Sequence, residues 1–437
     1  MARGNRPALS PSGTGRQAVE AVWRIDSARI VSTLARFTGD FALAEDLAQE
    51  ALAEALVTWP REGAPRNPTG WLLTVGRRRA IDTYRRRAAL DERYAVLARE
   101  AGAASGSGSE DGLLWDPDRV DDDVLALMFM ACHPVLSREA QVALTLRVLG
   151  GLTSDEIARA FLVPTATVQA RITRAKKTLA AAQVPFAVPA PEERRERLGS
   201  VLSVLYLIFT EGSSATSGAE WIRPDLAHEA VRLARVVARL APEEAETHGL
   251  LALLELTAAR FPARVGADGE PVLLAEQDRR HWDTSAIRRG RAALARASRT
   301  GRGLGPYGVQ AAISECHAVA PSVEATDWER IVLLYEVLGR LGPSPVVELN
   351  RAVAVSMAQG PAAALAIVDE LAAAGALPGS HLLPSVRGEL LTRLGRTAEA
   401  RHELEQAVKR CRNERERGLL AGKLAAALAM NQDLARE

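Results

Sequence analysis

Residues 151–179, GLTSDEIARAFLVPTATVQARITRAKKTL, restrict the possible folds more than any other stretch of the chain. Thr153 followed three positions later by Glu156 is the pattern of a capping box, which starts a helix by satisfying its first free N–H groups. Ile157, Ala158 and Phe161 give that helix one apolar side, and Leu162-Val163-Pro164 ends it in a turn. On a second helix Val168, Ile172, Ala175 and Leu179 fall on one stripe at helical spacing. Opposite them lie Ala170, Thr173, Arg174 and Lys177, flanked by Gln169 and Arg171. Two helices joined by a tight turn, with one stripe to bury and a basic face to present, suit a helix-turn-helix whose second helix enters the major groove. Arg174 carries the donor fork that pairs with guanine, and Gln169 the amide that pairs with adenine. Arg171, Lys176 and Lys177 suit phosphates, which position a helix without reading bases.

The rest of the chain reads as helix as well, and an all-α fold is expected. No convincing period-two run occurs, and Ala, Leu, Val and Arg dominate while aromatic residues make up only 4%. At 437 residues several compact units are expected. Residues 1–15 read as a disordered tail. Residues 16–88 are helical and end in a basic run; 89–120 lose apolar periodicity through AREAGAASGSGSEDG and read as a flexible linker. Residues 121–185 return to a helical pattern, the prolines of VPFAVPAPEE mark a boundary, and 191–437 form a succession of helices broken by Gly/Pro turns. The net charge of +1 excludes a uniformly basic DNA-coating protein but permits a local basic patch. The longest nearly apolar stretch, Val201 to Phe209, is about half of the ~20 residues a membrane span needs. With three scattered cysteines and no CxxC pair, the reading is a cytoplasmic protein without membrane association.

A second signal lies upstream. In FALAEDLAQEAL, Ala44, Leu47, Ala48 and Ala51 point inward, while Asp46, Gln49 and Glu50 form a polar cluster on the exposed side. The Pro/Gly-rich loop WPREGAPRNPTG follows, and then WLLTVGRRRAIDTYRRR. Its triplets Arg77-Arg78-Arg79 and Arg85-Arg86-Arg87 put so many guanidinium groups on one helix that some must face outward, where a phosphate backbone is their natural partner. Trp71 opens an apolar run, so core packing is expected of it ahead of base stacking.

These two segments together resemble the extracytoplasmic-function (group IV) sigma factors of the sigma-70 family. FALAEDLAQEALAEAL with GWLLTVGRRRAIDTYRRR is similar to their region 2, a helical bundle, and LTLRVLGGLTSDEIARAFLVPTATVQARITRAKKTL to their region 4. The resemblance implies core RNA polymerase and promoter DNA as partners. Asp46, Gln49 and Glu50 would dock on the polymerase clamp, Arg77, Arg78, Arg79, Arg85 and Arg86 would engage the minus-10 element, and Gln169, Ala170, Arg171, Thr173, Arg174 and Lys177 the minus-35 element. The family commonly has Asn where Arg78 stands, in an A-R-N-x-A-I-D pattern written GRRRAID here.

The extension also carries a resemblance. Between Leu382 and Arg412, Gly388, Ala400, Leu404 and Ala407 have the spacing of the small and apolar positions of a tetratricopeptide (TPR) helix pair, although Arg412 stands where proline is usual. PVVELNRAVAVSMAQGPAAALAIVDEL has a similar helix–glycine turn–helix layout about 34 residues earlier. LYLIFTEGSSATSG, AEQDRRHWD and SPVVELNRAVAVSMAQGPAAAL resemble the C-terminal extension of one sigma-factor subgroup, in which a TPR-like domain regulates in cis and a small YCII-related protein is an implied partner. Trp282 reads as an anchored core aromatic and Glu211–Ser217 as a helix-breaking turn.

No enzyme is expected. EGSSATSG lacks the flanking glycines of a nucleophile elbow, Cys132 and His133 are adjacent and so do not face one site, and neither HExxH nor a P-loop occurs. No cofactor or metal is implied. The competing reading is a TPR-containing helix-turn-helix regulator that is not a polymerase subunit; residues 41–88 separate the two, because a conventional regulator needs no docking helix followed by a basic helix. A small-molecule pocket in the extension is compatible with either.

Overall fold

A computed structural model describes residues 11–88, 117–213, 222–266, 269–300 and 303–434. Contacts divide the chain into two compact units, Met1–Leu205 and Tyr206–Glu437. Among the described residues the only extended pairing is the isolated bridge between Val265 and Pro271, and the fold is all-α as expected.

The first unit begins with α1 (Pro11–Thr38), α2 (Phe41–Glu62) and α3 (Pro68–Ala88). Asp40 starts α2 by accepting a hydrogen bond from the Leu43 N–H at 3.0 Å. Ile30, Leu34, Leu47, Trp59 and Leu72 are fully buried where the three helices meet. The Tyr84 hydroxyl, also buried, donates to the Thr38 carbonyl at 2.8 Å and fastens the end of α3 to the end of α1. Helix α1 starts at Pro11, within the stretch expected to be a tail; proline is favoured in a first helical turn. Residues 1–10 of that stretch lie outside the described residues.

Helices α4 (Pro117–Ala131), α5 (Arg138–Val148), α6 (Ser154–Ala160) and α7 (Thr165–Ala181) complete the unit together with the first part of α8 (Pro191–Ser213), whose Arg197 donates to the Phe129 carbonyl at 3.0 Å. Helix α4 packs on α1, and the Arg36 guanidinium lies 3.3 Å from Asp123. The expected linker at 89–120 falls outside the described residues as far as 116; residues 117–120 are already helical. Residue 191, where the prolines suggested a boundary, opens α8, whereas the compact units divide inside that helix.

The second unit holds α9 (Pro224–Leu240), α10 (Ala245–Ala258), the short α11 (Phe261–Arg264), a 3-10 turn (Arg279–His281) and α12 (Thr284–Arg299). Then come α13 (Pro306–Val319), α14 (Trp328–Leu341), α15 (Pro345–Ala358), α16 (Pro361–Ala373), α17 (Leu382–Arg393), α18 (Thr397–Arg410) and α19 (Glu414–Leu434). Helix α13 packs chiefly on α10, and from α14 onward each helix packs chiefly on the one before and the one after it. Gly388 lets α17 approach α18: a Cβ there would meet Leu404 Cγ at 2.8 Å. Ala400, Leu404 and Ala407 are buried against the same seam, the positions whose spacing stood out in the sequence.

Two motifs of this unit have structural explanations. In AEQDRRHWD, Trp282 is buried with the Arg279 and Arg260 guanidinium groups 4.5 and 5.5 Å from its ring, and Asp283 caps α12 by accepting from the Ser285 and Ala286 N–H groups. Glu211–Ser213, expected to break a helix, instead finish α8; Gly212 is required for close approach, since a Cβ there would lie 2.5 Å from Ala227 N. Residues 214–217 of that segment lie outside the described residues.

His317 sits edge-on to Trp328 at 5.2 Å, and burial, with the Arg260 and Arg279 charges, pushes its pKa down to about 4. The folded ring is therefore neutral, whereas an unfolded one titrates near ~6.5. Protonation then favours the unfolded chain, so this contribution is complete above pH ~6.5 and is lost as pH falls towards about 4. The urea midpoint of the second unit should decline across that window, and His317→Gln should flatten the decline. Gly388→Val should destabilise the unit by about 1–3 kcal/mol through overpacking, read as a lowered denaturation midpoint.

Candidate promoter and polymerase interface

Helix α2 buries Phe41, Ala44, Leu47, Ala48, Ala51, Ala55 and Trp59, and one carboxylate, Glu45, goes in with them at 4% exposure. A buried carboxylate needs cationic partners, and Glu45 has two, both distant in sequence. Arg147 of α5 donates from Nε at 3.2 Å, and Lys176 of α7 donates to the other oxygen. Lys176 Nζ also lies 2.8 Å from Asp46 Oδ1. Burial alone would lower the Lys176 pKa, but the Glu45 and Asp46 carboxylates outweigh it, and the net direction is upward.

This placement corrects one expectation. Lys176 was expected beside Lys177 as an outward phosphate contact, yet only 15% of its side chain is accessible. Ile172, Lys176 and Leu179 are spaced i, i+4 and i+7, so the lysine lies at the edge of the buried stripe. The remainder of α7 follows the periodic reading: Val168, Ile172, Ala175 and Leu179 are buried, Gln169, Ala170, Thr173, Arg174 and Lys177 are exposed, and Arg171 is half-buried. Arg174 Nε donates to the Ala170 carbonyl at 3.3 Å, which leaves most of its guanidinium donors facing outward.

The helix before the turn is held as the sequence pattern demands. Thr153 and Glu156 form both halves of the capping box. Thr165 Oγ1 donates to Asp155 Oδ1 at 2.7 Å and ties the first turn of α7 to α6. Leu162 makes the turn with φ +51°, a left-handed conformation that favours glycine.

On α3 the basic residues separate into two groups. Arg77 is half-buried with its guanidinium 5.1 Å from the Phe37 ring, and burial together with Arg36 lowers its pKa. Arg79 is held by α2: its Nη1 lies 2.8 Å from Glu50 and its Nη2 2.6 Å from Glu54, hydrogen bonds that raise its pKa. Arg78, Arg85 and Arg86 face outward, with Arg85 4.0 Å from Asp82 and Arg86 Nε donating to the Asp82 carbonyl at 3.3 Å. The Arg87 side chain lies outside the described residues. Trp71 is half-buried, edge-on to Trp59 at 5.6 Å.

The polar cluster on α2 is thus engaged within the molecule. Asp46 is exposed but paired with Lys176, Glu50 is exposed but paired with Arg79, and Gln49 is half-buried between them. The trio Glu45, Arg147 and Lys176 escaped the sequence reading. Phe41, Glu45 and Ala48 at i, i+4 and i+7 were the available signal, since a carboxylate on an apolar face requires a partner from elsewhere.

A bundle ending in a basic helix, beside a helix-turn-helix with a buried stripe and a basic outer face, defines a promoter-recognition protein of transcription initiation. Residues 26–89 match the family model for sigma-70 region 2, and residues 126–179 that for sigma-70 region 4. Residues 197–298 match a family of unknown function (DUF6596). The chain is also 45% identical over 383 residues to an uncharacterised protein of Rhizobium meliloti (strain 1021), covering 86% of this chain and 88% of the relative. The chain belongs to the sigma-70 family: it is a sigma factor for promoter recognition, and core RNA polymerase and promoter DNA are the partners its two regions imply. These regions are non-catalytic. Among the described residues no helix is long and apolar enough to cross a membrane.

Glu45→Ala should destabilise the first unit by about 3 kcal/mol, the scale for removing one partner of a buried ion pair. Lys176→Met, which keeps the apolar stem, should cost less; urea denaturation of the two variants checks the order.

Proposed function

We propose that the chain is a group IV, extracytoplasmic-function-type sigma factor whose helical extension, 191–437, is TPR-like and regulates it in cis. Region 2 spans 16–88 and region 4 spans 121–185 in this reading, joined through 89–120. Asp46, Gln49 and Glu50 dock on core polymerase. Arg78, Arg85 and Arg86 contact the minus-10 DNA, and Arg77 and Arg79 join them on rearrangement. Gln169, Ala170, Thr173, Arg174 and Lys177 face the minus-35 major groove, with Arg171 at the phosphate edge. The observation that carries the reading is the combination of an exposed outer face of α7, opposite a fully buried stripe, with a helical bundle over residues 41–88 whose α3 presents Arg78, Arg85 and Arg86 outward.

Mechanism follows from this arrangement. Docking of Asp46 on a basic surface of the polymerase competes with Lys176 for that carboxylate, while Lys176 keeps its buried partner Glu45. Binding to polymerase therefore weakens, through Asp46, one of the contacts between region 2 and region 4, and whichever ligand favours the open form strengthens the other. Melting of the minus-10 element draws on capture of unpaired bases and needs no nucleotide hydrolysis. A small YCII-related protein is the proposed protein partner of the extension.

Run-off transcription with core polymerase and a selected promoter tests the reading. The full chain should initiate; DNA binding without initiation would leave a conventional helix-turn-helix regulator. Arg174→Ala should weaken minus-35 recognition by about 1–3 kcal/mol on the cognate sequence and much less on a scrambled one. Asp46→Ala combined with Gln49→Ala should lower affinity for core polymerase, while Lys176→Met should raise it. Comparison with a chain ending near Pro185 assigns the extension's sign: more run-off product means an inhibitor, less means a required part. Equal output would refute regulation in cis.

A further inference from the structure

Three side chains with metal-ligating chemistry meet at the junction of α17, α18 and α19. His381 immediately precedes α17, Cys411 immediately follows α18, and Glu416 lies in the first turn of α19. The His381 Nε2 lies 3.0 Å from one Glu416 oxygen, and the Cys411 Sγ lies 3.6 Å from the other. The ligand atoms of all three fall within 4.8 Å of one another, which among the described residues marks this group out from the other His, Cys, Asp and Glu clusters. None of these residues belongs to the promoter or polymerase surface.

The chemistry of the group is specific. Cys411 is 3% exposed, packed with Ala407, Val408 and Leu420, and its S–H makes only long contacts, to Glu416 and to the Asn413 carbonyl at 3.5 Å. The thiol is buried against the Glu416 carboxylate. A neutral imidazole, a thiolate and a carboxylate together carry two negative charges, which a divalent ion balances. Four-coordinate zinc, with bonds of about 2.0–2.3 Å, sets its ligand atoms about 3.3–3.7 Å apart. His381 Nε2 and Cys411 Sγ each lie near that distance from one or the other Glu416 oxygen, and with one atom per residue all three fall within 4.8 Å, so a side-chain shift of about 1 Å closes the set. Calcium and magnesium prefer six or more oxygens, whereas a mixed nitrogen, sulfur and oxygen set suits a borderline ion. Access is available, because His381 and Glu416 are each about a quarter exposed.

We propose that His381, Cys411 and Glu416 bind one divalent transition-metal ion of the zinc class, with the fourth position left to water. Binding transfers the Cys411 proton to solvent, leaves the His381 ring protonated at Nδ1 in place of Nε2, and replaces an S–H contact and a hydrogen bond by three coordinate bonds. Asn413 braces the site: its Oδ1 accepts from the Glu416 N–H at 3.1 Å and fixes the start of α19. Bound metal then ties together three helix ends that are otherwise joined by weak contacts. The site is independent of the promoter reading.

Cobalt(II) titration of the chelator-treated full chain tests this. One equivalent should produce a thiolate-to-cobalt charge-transfer band with four-coordinate ligand-field absorption, zinc should displace it, and zinc should raise the melting temperature. Cys411→Ser should abolish the charge-transfer band. His381→Gln and Glu416→Gln, which keep hydrogen-bonding capacity, should each weaken binding by more than about a hundredfold, beyond the ten- to hundredfold loss typical of an outer-shell partner. Circular dichroism checks that the variants fold. Absence of the band in the wild-type chain, or its persistence in Cys411→Ser, would overturn the site; persistence would point to Cys132 or Cys316.

Discussion

The first unit is organised around the buried charge of Glu45. A carboxylate taken out of water costs several kcal/mol unless its charge is matched, and the matching groups here, Arg147 and Lys176, come from the other half of the unit. The same contact places Asp46 against Lys176, so the exposed acidic face of α2 and the inner edge of α7 share a cation. A charge cluster of this kind is directional in a way that apolar packing is not. It fixes which edge of α7 turns toward α2.

Several acidic and basic residues proposed above for partner contacts are, in this conformation, paired with each other. Lys176 neutralises Asp46, and Arg79 bridges Glu50 and Glu54. Surface pairs of this sort are worth little in isolation, which makes them exchangeable. The Glu45 pairs are different, because both partners leave water together, and they separate only if the two regions do. The surface thus offers readily exchanged contacts around one contact that is not.

Arginine has another use in the second unit. Arg279 reaches the carbonyls of His317 and Ala320 at 2.6 and 2.8 Å while its guanidinium plane lies over Trp282. Glu255, 2% exposed, is held by Arg235 and Arg289 from neighbouring helices. In a helical array with few aromatic residues, these long side chains join neighbouring helices through buried charge and hydrogen bonds. Small residues complement them, since Gly212 and Gly388 admit a neighbouring backbone or side chain at distances a Cβ would not allow.

Much of this was legible in the sequence, for local reasons. The buried stripe of α7, its exposed outer face, the capping box at Thr153 and the small residues at the α17–α18 seam all follow from periodicities of one element, and they lie where the spacing put them. The failures share a different cause. Lys176 read as outward because α7 alone presents a lysine at that edge, and only α2 supplies the carboxylates that draw it in. The partners that Arg77 and Arg79 find within the chain were not legible, because Phe37, Glu50 and Glu54 stand on other helices. The glycine at 212 read as a breaker because its neighbour, Ala227, is close in space alone. Composition and periodicity thus determined the helices, their inward faces and the class of partner. Tertiary structure decided which charges meet, because ion pairing and metal-ligand geometry depend on distances between elements that no spacing along the chain encodes.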